Sequence, residues 1–172
     1  MLSLFIKDRD LVIKDVEKTQ LTKITEWFAG DDINLYKYAM GIDKPITYDD
    51  LYEKYLEALI NAHEYFLGIS LDGNLIGFLK GRVDYKNADE IWIMAMLIDT
   101  PYRNIGIGER VLKLIMKEFK DKYGINNFYA CLVKENIRGK VFWQKNGFYE
   151  YRLSKGYFTI NNKSYDLVIM NG

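Results

Sequence analysis

The sequence predicts one α/β (α+β) domain over residues 1–172, built on a mixed, mostly antiparallel central sheet of about seven strands flanked by about four helices. Three observations lead there. The 172 residues are 49% apolar with no linker-like stretch, which suits a single core. A nearly all-apolar run, Ile91-Trp92-Ile93-Met94-Ala95-Met96-Leu97-Ile98, reads as a central strand buried on both faces. A long segment of helical periodicity follows that strand after a short polar loop, and further strands close the chain.

Taken in order, Leu11 to Val16 alternates as a strand. From about Thr19 to Ala29, Leu21, Ile24, Trp27 and Phe28 recur at helical spacing, closed by Gly30. Thr47, behind Pro45, is a fitting N-cap for a second helix over Tyr48–Asn61. Tyr65–Leu71 and Leu75–Tyr85 flank Asp72-Gly73-Asn74, where glycine supplies the positive φ of a tight hairpin. Val111, Leu112, Ile115, Met116 and Phe119 form the apolar stripe of a helix from Ile107 to Tyr123, ended by Gly124. Phe128–Val133 is a buried strand and Ile137–Lys145 a short helix. Phe148–Ser154, Tyr157–Ile160 and Ser164–Met170 are closing strands, the last two joined by Asn161-Asn162.

Composition removes several classes of function. Twenty-four basic and 24 acidic side chains cancel, so there is no basic field to favour nucleic acid. No apolar run approaches the ~20 residues needed to cross a bilayer. The apolar N-terminus runs straight into charged residues without a small-residue cleavage site, so it does not read as a signal peptide. A lone cysteine, Cys131, agrees with a reducing compartment, and the expectation is a cytoplasmic protein. No metal-ligand cluster is visible.

The segment Arg103-Asn104-Ile105-Gly106-Ile107-Gly108 lies between the buried strand and the long helix. Glycines there let successive backbone N–H groups converge, and the helix N-terminus adds about half a positive charge, which together make a nest for a pyrophosphate. Glu109 in place of Lys-Ser/Thr excludes a P-loop. Gly106-x-Gly108 after at least four strands does not fit a dinucleotide fold, which needs its glycines early and a ribose-binding acid about 20 residues on.

Pro101-Tyr102-Arg103-Asn104-Ile105-Gly106-Ile107-Gly108 resembles the acetyl-coenzyme A loop of the GNAT superfamily, Arg/Gln-x-x-Gly-x-Gly/Ala. Asn136 to Phe148, an Asn, a short helix and then Gly147-Phe148, resembles that superfamily's second motif. The resemblance implies a GNAT-type fold splayed between its fourth and fifth strands and an N-acetyltransferase using acetyl-coenzyme A as co-substrate. It implies pantetheine pairing along Met96, Leu97 and Ile98, and pyrophosphate held at Arg103, Asn104, Ile105, Gly106, Ile107, Gly108 and Glu109. Asn136 either contacts pantetheine or caps the short helix. Trp143 stands where many members carry the tyrosine that protonates the departing thiolate; an indole is no useful acid, so it would pack on pantetheine and leave the proton to another source.

Glu90 stands thirteen residues before Arg103, where a branch of the family places the base that deprotonates the amine; otherwise it is a solvated strand-end charge. His63 reads as a surface residue and Cys131 as a small buried filler. Residues Glu26 to Glu64 hold nine acids against three lysines, with many aromatics, which suggests a small cationic amine substrate and Trp27, Asp31, Asp32 and Tyr36 as acceptor-binding residues. A solvated acidic helix face with a buried aromatic stripe is the alternative. So are a protein N-terminal or lysine acetyltransferase and a non-catalytic coenzyme A sensor. The expected assembly is a monomer or homodimer.

Overall fold

The computed structural model describes residues 2–29, 37–39, 44–84, 86 and 89–172, the side chain of residue 160 excepted. The strands are β1 (Phe5–Asp8), β2 (Leu11–Asp15), β3 (Glu64–Leu71), β4 (Asn74–Asp84), β5 (Glu90–Ile98), β6 (Asn127–Val133), β7 (Tyr149–Ile160) and β8 (Lys163–Asn171). The helices are α1 (Leu21–Phe28), α2 (Tyr48–Ile60), α3 (Ile107–Tyr123) and α4 (Ile137–Lys145), with 3-10 turns at Lys18–Gln20 and Thr100–Tyr102. Gly30, the expected stop of α1, lies outside the described residues.

The strands form one sheet in the order β1-β2-β3-β4-β5-β6-β8-β7. Every neighbouring pair is antiparallel except β5–β6. The class is the expected one, but the strand set differs at two places. β1 was not anticipated: it is a four-residue edge strand turned onto β2 through Arg9 at φ 53. The two strands expected over 148–160 are one strand, because Ser154 to Phe158 is a bulge in the β7–β8 pairing rather than a turn. With β1 counted, the splay lies between the fifth and sixth strands.

Two apolar layers cover the sheet. On one face Val111, Leu112, Ile115 and Phe119 of α3 pack with Ile91 and Ile93 of β5 and with Trp143 and Phe148. On the other, Leu21, Ile24, Trp27 and Phe28 of α1 and Leu51 and Ala58 of α2 pack on Phe66, Phe78, Ala95 and Leu97. Local chemistry fixes the helix ends. Thr47 accepts from the Asp50 N–H at 3.2 Å while Asp50 accepts from the Thr47 N–H at 3.0 Å, a reciprocal cap. Both β-hairpin turns named from sequence have positive φ at both central residues: Asp72 and Gly73, then Asn161 and Asn162.

Candidate coenzyme and acceptor site

Strand β5 organises the site. Lys80 pairs with Ala95 but Gly81 with Ile93, so Met94 is an extra residue and the strand bulges there. The bulge reverses the alternation: Ile91 and Ile93 belong to the α3 layer, whereas Ala95 and Leu97 belong to the α1–α2 layer. The Tyr65 hydroxyl donates to the Trp92 carbonyl at 3.0 Å beside this bulge. Gly81 is obligatory there, since a Cβ would collide with that hydroxyl. The parallel pairing with β6 covers only Glu90 to Ile93, against Asn127 to Ala130. From Met94 to Ile98 the β5 edge has no β6 partner, while Cys131 to Val133 of β6 pair only with β8. A strand edge with unused N–H and C=O groups faces that opening.

The loop after β5 ends in the predicted nest. Asn104 and Gly106 are both left-handed, at φ 61 and 84, with extended Arg103 before them. Gly106 is the N-cap of α3 and supplies no side-chain hydrogen bond, so the first-turn N–H groups of α3 have no capping partner. Nothing lies within 4 Å of where a Gly106 Cβ would stand. Gly108 is different: its Cβ would press on the Phe142 ring at 3.1 Å, with Met96 at 3.8 Å, so this glycine lets α3 and α4 close up beside the opening. The Arg103 side chain folds back, donating from Nε to the Ile98 carbonyl at 2.6 Å and bracing the strand end. Uncapped amides, open space over a left-handed glycine and a free strand edge leading away from it fit a diphosphate joined to an extended amide-bearing arm.

The chain from residue 13 to 169 matches the profile of the Acetyltransferase (GNAT) domain. The protein belongs to this GNAT family. Among relatives, it is 27% identical over 100 residues to the spermine/spermidine N(1)-acetyltransferase of Bacillus subtilis (strain 168), covering 54% of this chain and 65% of that protein. Solved structures share the fold. The acetyltransferase from Salmonella typhimurium that modifies the N-terminal serine of ribosomal protein L7/L12 superposes with a TM-score of 0.85 at 13% identity, covering 98% of both chains. The spermidine N-acetyltransferase from Vibrio cholerae, solved with CoA and spermine, gives 0.78 at 18% identity over 96% of both.

Within the GNAT frame, several sequence-predicted residues gather at one place and others do not. Met96 and Phe142 meet at Gly108, and Arg103 folds onto Ile98; Leu97 turns its side chain into the α1–α2 layer and offers backbone only. Glu109 is held by Lys113. Asn136 caps α4, accepting from the Gly139 N–H at 2.8 Å; a Cβ at Gly139 would collide with it. Trp143 is placed as follows. It is 6% exposed and packed between Phe142 and Phe148, at 5.3 and 4.8 Å, as part of the core. One position earlier on α4, Phe142 faces Gly108 and Met96, and sequence reading missed it: helical phase alone distinguishes the two.

Glu90 accepts a hydrogen bond from Trp92 Nε1 at 3.1 Å, which draws its carboxylate along β5 toward the opening. Trp92 in turn stacks on Tyr129 of β6 at 4.6 Å and 16°. Burial, with the Glu90 charge beside it, raises the Tyr129 phenol above its ordinary value, so it keeps its proton at neutral pH. Burial likewise pushes the Cys131 thiol up to about 11, which suits a filler and not a nucleophile. Exposed His63 sits at the turn before β3, as expected.

On the acceptor side, Asp31, Asp32 and Tyr36 lie outside the described residues. Trp27 is nine-tenths buried and stacked on Phe78 at 6.4 Å. Much of the acidic surplus is already engaged: Glu26 with Lys23, Glu57 with Lys54, Glu64 with Lys80, and Asp50 with Thr47 and Lys44. Several basic residues of α3 are engaged too, Arg110 with Asp8 and Asp10 at 2.7 and 2.9 Å, Lys117 with Asp121 and Lys122 with Glu118. A surface cavity of about 410 Å3 between the N-terminal strands and Tyr55 is lined by none of these site residues.

Proposed function

We propose that this protein transfers acetyl from acetyl-coenzyme A to the primary amine of a small cationic compound carrying further amine or hydroxyl groups, such as a polyamine, an aminoglycoside-like compound or a basic amino-acid derivative. The observation that carries this reading is the unpaired β5 edge from Met94 to Ile98 running continuously into the uncapped N-terminus of α3. The coenzyme supplies an acetyl group activated as a thioester. The first-turn amides of α3 and the left-handed turn at Asn104 and Gly106 hold its diphosphate. The Met94–Ile98 edge pairs with the amide arm as an added strand would, and places a main-chain N–H against the carbonyl that gains negative charge.

An alkylamine is mostly protonated at neutral pH and has no lone pair to attack with. Glu90 accepts that proton. Four strand rises of about 3.3 Å separate it from Met94, so the transfer runs through water in the opening. The amine nitrogen then bonds to the carbonyl carbon, the carbon–sulfur bond breaks, and the released thiolate takes its proton from solvent. Trp143, buried and no useful acid at neutral pH, takes no part. The charge excess around α1 and α2, and the polyamine acetyltransferases among the relatives, support a cationic acceptor. Release of free thiol from acetyl-coenzyme A with a panel of cationic, neutral and acidic amines tests the proposal. Amine-dependent release with a cationic preference supports it, and release with no amine in the panel overturns it.

A further inference from the structure

Glu90 opens β5 with a long side chain that has many rotamers to lose. Asp84 stands directly across from it in the β4–β5 register, and two carboxylates there repel. Among the described residues the one hydrogen bond to its carboxylate comes from the Trp92 indole, at 3.1 Å to Oε2, and Oε1 is left without a donor. Trp92 is itself held from both neighbouring strands. In register with it stand Arg82 of β4 and Tyr129 of β6. The Tyr129 ring stacks on the indole at 4.6 Å and 16°, and the Arg82 guanidinium lies 5.9 Å from the indole centre. A ring held in this way cannot turn freely about χ2, so its Nε1–H stays aimed at the carboxylate. Phenylalanine would make the same stack, and only the indole adds the N–H.

We infer that Trp92 is a positioning residue for the reaction: it holds Glu90 by Oε2 and leaves Oε1 to accept from the water that carries the amine proton. This rests on the reading of Glu90 as the base and deepens it. A lysine or arginine in the place of Trp92 would also hold the carboxylate, but as an ion pair that opposes its protonation. A neutral indole fixes the direction of the carboxylate and adds no charge against the proton it must take up.

Trp92→Phe keeps a ring and removes the N–H. It should lower kcat about tenfold, a part of the hundredfold assigned to Glu90, and leave KM for the amine and for acetyl-coenzyme A within about twofold of wild type. In a Glu90→Gln background the same change should cost nothing further, since no base remains to be positioned. A tenfold loss in both backgrounds, or a loss confined to KM, would make Trp92 a structural or acceptor-contacting residue and overturn the assignment. So would a Trp92→Phe enzyme that turns over at the wild-type rate. Where that variant folds poorly, Glu90→Gln alone decides the contact by NMR. One of the three indole 1H–15N signals should move upfield as its charged acceptor becomes an amide, and the other two should stay. Three unmoved signals reject the proposal. Full activity of Glu90→Gln, or a wild type that acetylates no amine, would defeat the base reading instead.

Discussion

In the proposed reaction, the two faces of β5 are assigned recognition by different means. On the α3 side the recognition elements are main chain: left-handed Asn104 and Gly106, the uncapped first turn of α3, and the free edge from Met94 to Ile98. On the α1–α2 side they are side chains: the Glu90 carboxylate steadied by Trp92, and acids of which several already have lysine partners. Backbone recognition requires glycines at fixed offsets and so leaves a motif. Side-chain recognition can be built from many residue combinations and leaves only a local excess of charge and aromatics.

That contrast predicts separable defects. Gly106→Val should have the largest effect, weakening coenzyme binding by 100-fold or more. The φ of 84 strains a branched residue and the side chain would project into the open space over the nest. Calorimetry on folded variant checks it, and unchanged affinity would place the diphosphate elsewhere. Glu90→Gln should leave coenzyme affinity alone and slow turnover by about 100-fold near neutral pH. The loss should shrink at alkaline pH, where the amine deprotonates unaided, so parallel pH–rate profiles for variant and wild type would remove the base assignment. A cationic amine should lose several-fold of its advantage over a neutral one between low and high salt, since exposed carboxylates are screened. A salt-independent preference would argue against the acidic surroundings of α1 and α2. Trp143→Phe should change turnover by less than about threefold, as befits a core indole outside the proton path. Smallest in function is Thr47→Ala, which should lower stability by about 1 kcal/mol through loss of the α2 cap and leave turnover per folded molecule unchanged. The same cap holds the Asp50 carboxyl below its ordinary range, through the Thr47 N–H first. A depressed folded value means that this contribution is present above the unfolded value near 4 and is lost as pH falls through the folded one.

Sequence legibility follows the same division. Ile107–Tyr123 was readable to the residue because left-handed glycines bracket it at 106 and 124, and the α2 start because Thr47, a favoured N-cap residue, stands behind Pro45. β1 escaped because Phe5-Ile6-Lys7-Asp8 is too short for a periodic signal and gains its place only by pairing with β2. The fused β7 escaped because Lys155-Gly156 looks like a turn and is a bulge with Gly156 at φ 58. That Phe142, and not Trp143, lies against Gly108 was beyond one-dimensional reading, since it depends on how α4 is rotated. The bulge at Met94, which assigns Ala95 and Leu97 to the α1–α2 layer, leaves no mark in a run that is apolar throughout.

The central claim is that one main-chain surface, the β5 edge and the nest that follows it, holds the coenzyme. Titration of the 15N-labelled protein with coenzyme A, followed by backbone amide shifts, tests it most directly. The account predicts the largest shifts at Asn104 to Glu109 and along Met94 to Ile98, with α2 and the 410 Å3 cavity around Ser3, Lys14 and Tyr55 nearly silent. Shifts centred on that cavity, with Asn104 to Glu109 unmoved, would contradict it.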